Sequence, residues 1–280
     1  MYTSSKDIVL RAFKEGYAVP AFNAENLEMI QAIIKAAEEE KSPVIIQTTP
    51  PTVKYLTFEM AYAMVYTAAV GSNVPVALHL DHCTEFDDVM KAIKAGYSSV
   101  MFDGSGYSFE KNNEITKSVV NVARPLGITV EAELGKVGGK EDNVENMEEI
   151  YTDINDAKNF VEKTSVDMLA VAIGTAHGFY KGEPKLDFER IEKISKLTNI
   201  PLVLHGGSGI PEESVKKAIS LGMAKVNFAT ELRAAATKGV RKILEDESVI
   251  DPKKYMGEAK DEVINLCRKK IAMCGSKNKA

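Results

Sequence analysis

The chain has only four histidines and three cysteines, no surplus of basic residues and no uninterrupted apolar span. Each scarcity excludes something. Cys83, Cys267 and Cys274 are odd in number and widely spaced, so they build neither a disulfide framework nor a cysteine-rich zinc site. A reducing, cytoplasmic setting is expected. Lys plus Arg total 35 against 40 Asp plus Glu, a formal net charge of -5, which argues against a nucleic-acid or anionic-membrane binder. The first residues carry Lys6, Asp7, Arg11 and Lys14 and no apolar core, so they do not read as a signal peptide. From Met60 to Leu80 no residue is charged, but Gly71, Ser72, Asn73 and Pro75 break the stretch into a helix end and a new strand. No membrane span is expected.

Apolar residues are plentiful, at 45% of 280, with 27% charged, so a large core is expected. Length alone suggests about two domains at about 150 residues each, but one α/β barrel also absorbs it. Short apolar runs recur at Ala18–Phe22, Val44–Thr48, Val76–Leu80, Ser99–Phe102, Thr129–Glu133, Met168–Ile173, Leu202–Leu204 and Ala224–Phe228. They read as strands buried on both faces. Amphipathic segments separate them, such as Asn26–Glu40 with Leu27, Ile30, Ile33, Ile34 and Ala37 at helical spacing. Eight alternations predict a (β/α)8 TIM barrel in one domain over residues 1–280. The rival doubly wound sheet lacks its GxGxxG after the first strand. Leu134–Glu149 is expected to be a long functional loop, and Asp251–Ala280 a helical appendage whose last residues, GSKNKA, fray.

The histidines gain meaning on this map. His82, His177 and His205 fall at or just after the ends of the third, sixth and seventh strands. A barrel gathers its strand ends on one face. Any one of these histidines is as readily a hydrogen-bonded core residue; three together suggest a catalytic zinc with one open position. His79 is expected one layer deeper. Asp81 beside His82 suits a proton carrier, while capping of the next helix falls to Thr84. Glu131 and Glu133 share one strand face, which is costly without a cation nearby. HGGSG at His205–Gly209 and NFAT at Asn227–Thr230 each precede a helix, a pattern that cradles phosphate.

Six motifs carry a family resemblance: YAVPAFN at Tyr17–Asn23, HLDHC at His79–Cys83, VEAELGKVGG at Val130–Gly139, AIGTAHG at Ala172–Gly178, LVLHGGSG at Leu202–Gly209 and KVNFATE at Lys225–Glu231. The chain resembles the class II, metal-dependent ketose-bisphosphate aldolases over nearly its whole length. The resemblance implies one Zn2+ per subunit on His82, His177 and His205, with Glu133 as an alternate or neighbouring ligand. It implies Asp81 as the acid/base at the C4 oxygen and Glu141 as the group that moves the C3 proton of dihydroxyacetone phosphate. Gly178, Lys181, Gly206, Gly207, Ser208, Asn227 and Thr230 match its phosphate and enediolate site. Asn23, Thr49 and Arg233 match positions facing the rest of the substrate. A monovalent Na+ or K+ near the phosphate and a homodimer or homotetramer also follow from the resemblance, with a small phosphosugar as the only substrate partner.

Some residues depart from the family pattern. Gly106 stands where relatives commonly carry His. Ala229 and Thr49 resemble tagatose-type members, whereas Arg233 replaces the Lys of some of them. Tagatose-1,6-bisphosphate is therefore favoured over fructose-1,6-bisphosphate. Contacts of about 1–3 kcal/mol each decide such a preference. A zinc-dependent barrel hydrolase and a non-catalytic phosphosugar-binding subunit are the other readings. The first leaves two phosphate loops unexplained, and the second leaves Asp81 and Glu141 without a role.

Overall fold

The computed structural model describes residues 1–280 except 142, 143, 147–149, 181 and 183, and side chains outside 140–149, 181 and 183. Eight parallel strands close into a TIM barrel in sequential order. They are β1 (Val19–Asn23), β2 (Val44–Thr48), β3 (Val76–Cys83), β4 (Ser99–Phe102), β5 (Thr129–Leu134), β6 (Met168–Val171), β7 (Leu202–Leu204) and β8 (Met223–Phe228). Their short runs of Val, Ile, Leu and Ala suit strands covered on both faces.

The α-helices in chain order are α1 (Ser5–Glu15), α2 (Leu27–Glu40), α3 (Pro50–Leu56), α4 (Phe58–Val70), α5 (Phe86–Ala95), α6 (Phe109–Ala123), α7 (Ile154–Thr164), α8 (Phe188–Thr198), α9 (Glu212–Ser220), α10 (Thr230–Ile243) and α11 (Pro252–Met273). Side-chain caps set several starts: Asn26 accepts from Met29 N at 2.9 Å, and Asp153 from Asn155 N at 2.8 Å. Among the described residues no helix is long and apolar enough to cross a membrane.

Strand alternation sorts the core into two parts. Outward residues such as Phe22, Ile46, Leu78, Phe102, Leu169 and Phe228 pack against the helices. Inward Ala21, Ile45, Ala77, Met168, Ala170 and Val203 pack with Ile8, Val9 and Ala12 of α1, which plugs the N-terminal end of the barrel. The polar interior therefore lies at the other end.

Three expectations change. Thr84 does not cap α5; Glu85 takes the N-cap position without a side-chain cap, and the Thr84 hydroxyl donates to Glu85 Oε1 at 3.4 Å. Part of the stretch after β5 is a hairpin rather than loop: Gly138–Glu141 and Val144–Asn146 pair antiparallel. Gly138–Glu141 also pairs parallel with Ala176–His177, tying this segment to the sixth strand end. Nor do the last residues fray. Ser276 is buried with its hydroxyl 2.7 Å from that of Ser42, and Asn278 N and Ala280 N donate to Glu40 O and Lys41 O at 3.0 and 2.9 Å. Glu40 also holds Arg268 and Lys277 at 2.9 and 2.8 Å.

Candidate metal and phosphate site

The C-terminal strand ends bring His82, His177 and His205 together, with one ligand atom from each lying within 4.8 Å of the others. The His82 ring meets His205 at 4.4 Å and His177 at 4.8 Å between centroids, edge to face in both cases. Local backbone aims His82. The β3–β4 ladder slips between Leu80 and Cys83, and His82 takes a left-handed φ of 49°. A bulge of this kind turns a side chain out of the regular alternation.

His205 is fixed from behind. Its Nε2 lies 2.9 Å from Glu131 Oε1, and Glu131 Oε2 accepts from Lys225 Nζ at 2.7 Å. Nδ1 is then the nitrogen that faces the other histidines, with Glu133 Oε2 at 3.3 Å. His82 Nδ1 pairs with Asp103 Oδ2 at 3.2 Å. Metal-binding histidines are characteristically held this way, by a carboxylate on the far nitrogen. The donor set of three imidazoles fits a divalent metal, and Glu133 Oε2 stands beside the His205 Nδ1 that faces it. His79 stands apart, hydrogen-bonded at 2.7 Å between Nδ1 and Ser99 Oγ, and 3.6 and 3.5 Å from Asp81 and Glu131.

Asp81 is buried and held from three sides. Gln47 Nε2 donates to its Oδ2 at 2.8 Å, Asn227 Nδ2 reaches both oxygens at 3.2 Å, and His82 Nε2 is 3.9 Å away. Burial alone would raise its pKa. The charges of His82 and Lys225, with the His79 contact, outweigh burial and hold it well below the usual carboxylate value. Glu131 is likewise pulled down to about 2, with burial opposed by Lys225 and His205. His205 moves the other way: burial and His82 push it down, but Glu131 and Glu133 carry it up to about 9 in the metal-free protein.

The phosphate-type loops lie beside the histidines. Gly178, Gly206, Ser208, Asn227, Ala229 and Thr230 surround a small pocket next to His177. A Cβ on Gly206 would collide with Ala176 O, and its φ of 67° also favours glycine. Gly207 N donates to Asn227 O at 3.0 Å, so it fastens two loops together. Ala229 leaves the start of α10 without a side-chain cap, which keeps its first-turn N–H groups facing the loops. Lys181 and the Glu141 side chain lie outside the described residues; the Glu141 backbone ends the strand Gly138–Glu141.

A larger cavity of about 870 Å³ opens on the other side of the histidines, lined by Thr49, Lys54, His82, Gly106, Tyr107 and Lys136 among others. Thr49 is buried with its hydroxyl 3.1 Å from Thr52. Asn23 accepts from Gln47 at 2.6 Å. Arg233 is paired with Glu25 at 2.6 Å. Gln47, Asp103 and Lys225 were not singled out in the sequence. The signal for Lys225 was its spacing of two from Asn227 on one strand.

The sequence profile of the family described as fructose-bisphosphate aldolase class-II matches residues 3–279. The chain belongs to this family. A sulfofructosephosphate aldolase from Alkalicoccus urumqiensis is 47% identical over 286 residues, covering 100% of this chain and 98% of that one. The crystal structure of the YdjI aldolase from Escherichia coli K12 superposes with a TM-score of 0.90 at 39% identity, covering 100% of both chains. Fructose-bisphosphate aldolase from Campylobacter jejuni gives 0.84 at 25% identity, covering 100% of this chain and 97% of that one. This class II aldolase is therefore a lyase, and its histidine cluster occupies the strand-end face where barrel enzymes carry their chemistry.

Proposed function

We propose that this aldolase reversibly cleaves a ketose 1-phosphate with an acidic far end, giving dihydroxyacetone phosphate and an acidic aldehyde. The observation that carries this reading is the histidine cluster with ionised Asp81 beside it, flanked by the glycine loops. His82, His177 and His205 would hold zinc. Bound zinc supplies Lewis acidity for the negative charge that cleavage leaves on the dihydroxyacetone phosphate half. Asp81 is already deprotonated and aligned by Gln47 and Asn227, so it takes the proton from the C4 hydroxyl. The C3–C4 bond then breaks, C4 becomes the aldehyde carbonyl, and the bonding pair remains on C3. Glu141, carried on the hairpin that pairs with Ala176–His177, returns a proton to C3. The loops after β7 and β8 grip the phosphate and orient the substrate away from the reacting bond.

Ala229 and Thr49 favour tagatose-1,6-bisphosphate over fructose-1,6-bisphosphate. A second substrate reading has its own support. The 47% identical relative is a sulfofructosephosphate aldolase. Arg233 is already neutralised by Glu25, and Lys91 of the cavity wall by Asp88 at 2.7 Å. The same wall also carries Lys54 and Lys136, so it offers cations to either a sulfonate or a phosphate, and the second reading rests on the relative. The test is kcat/KM of zinc-loaded enzyme on tagatose-1,6-bisphosphate, fructose-1,6-bisphosphate and sulfofructose phosphate side by side. A tagatose lead supports the first reading, and a sulfonate lead the second. Full activity in excess chelator, or turnover without dihydroxyacetone phosphate, sinks the aldol reading with zinc.

A further inference from the structure

The motif ending in Glu231 places a carboxylate where the proposed function needs positive potential. Glu231 sits in the first turn of α10, one residue after Thr230 of the phosphate-type pocket. Its Oε2 accepts from Gly209 N at 3.3 Å, and its own N–H reaches Ser208 Oγ at 3.5 Å. It therefore organises the loop after β7 from the neighbouring helix. A bare carboxylate here would repel a phosphate seated on the same loop.

The counter-charge comes from far along the chain. Lys270, in the last turns of α11, is buried and places Nζ 2.6 Å from Glu231 Oε2. The same ammonium lies 5.0 Å from the centroid of the Phe228 ring, at the end of β8. A lysine is almost never buried unless it is paired, and this one has a single acidic partner among the described ion pairs. Its stem passes through the packing of α11 against the barrel, so its reach is set by the C-terminal helix.

We propose that Lys270 is a positioning residue for the phosphate grip. It neutralises Glu231 and so lets that carboxylate hold the Ser208–Gly209 loop without repelling the substrate phosphate. The inference rests on the reading of these loops as the dihydroxyacetone phosphate site. It gives the C-terminal helix a direct part in substrate affinity.

The test uses zinc-loaded full-length enzyme. Dihydroxyacetone phosphate binding is measured by calorimetry, and kcat and KM on a cleaved ketose bisphosphate, for wild type, Lys270→Met, Glu231→Gln and the double variant. Lys270→Met is expected to weaken dihydroxyacetone phosphate binding about tenfold and to raise KM with kcat little changed. The double Glu231→Gln/Lys270→Met is expected to regain most of that loss, because removing the carboxylate removes the repulsion. Circular dichroism melts and zinc content identify folded variants; if Lys270→Met does not fold, the comparison of the double variant with Glu231→Gln replaces it, and equal affinities are expected. Unchanged affinity in folded Lys270→Met, or a double variant that binds more weakly than both single variants, overturns the proposal. Wild type that binds no dihydroxyacetone phosphate overturns the function reading, and with it this inference.

Discussion

Along β3, Ala77 and Asp81 are on the same face of the strand, about 13 Å apart by strand rise, and they meet opposite surroundings. Ala77 packs among Ile45, Val203 and the plug residues Ile8 and Val9. Asp81 lies among Gln47, Lys225, Asn227 and two histidines. The apolar end is held by volume, and neighbours can give a little when it changes. The ionic end is held by complementary charge, where losing one partner strands another in a dry interior. The two ends should therefore fail in different ways.

The largest contrast is in activity. Chelation of the metal, or His205→Ala, should reduce kcat/KM by about a thousandfold or more, and zinc should restore only the chelated wild type. A His205→Ala protein with near-normal turnover would sever the link between the histidine cluster and the chemistry. Next in size is Lys225→Met. It leaves Glu131 buried without its ammonium and should cost about 3–5 kcal/mol, seen as a fall of about 10 °C in melting temperature. Glu131→Gln added to it should return part of the loss, and zinc affinity should fall about 10–100-fold in the single variant. Equal melting temperatures for wild type and Lys225→Met would show that the ionic end is no more brittle than the apolar one.

The pH response sharpens the comparison further. His205 has its pKa raised from about 6.5 to about 9, so its protonated form stabilises the metal-free protein fully below pH 6.5. That contribution is lost as pH rises through about 9. Zinc needs the neutral ring, so uptake should release a proton and tighten about tenfold between pH 7 and 8. Competition titrations at the two pH values, with proton release followed in weak buffer, read this; no release at pH 7 contradicts it. The smallest effect belongs to the plug. Ile45→Val should cost about 0.5–1.5 kcal/mol and leave kcat unchanged, because no ionic partner is disturbed.

The barrel strands were legible because each is a short apolar run between helical segments. The runs Val44–Thr48, Ser99–Phe102 and Leu202–Leu204 coincide with β2, β4 and β7, and the other five shift by one to three residues at their ends. The strand-end histidines were legible for the same reason, since topology alone gathers such residues. What escaped were partners defined by three-dimensional proximity. Glu131 and Lys225 are 94 residues apart, and no local pattern announces their contact. The pinned C-terminus was also missed: GSKNKA looks like a polar tail, but Glu40 and Lys41 offer it backbone carbonyls and charge. Thr84 misled because a good capping residue sat one position early.

The left-handed backbone at His82 has a consequence for the order of events. The bulge that holds it lies between two stretches of regular pairing, Leu80 with Val100 and Cys83 with Phe102. Pairing with the neighbouring strand therefore helps to set the direction of the ring. Small zinc modules wait for the metal before they fold. A barrel with its own large core needs no such wait, so under the proposed metal site chelation is expected to remove activity with little loss of helical signal on circular dichroism.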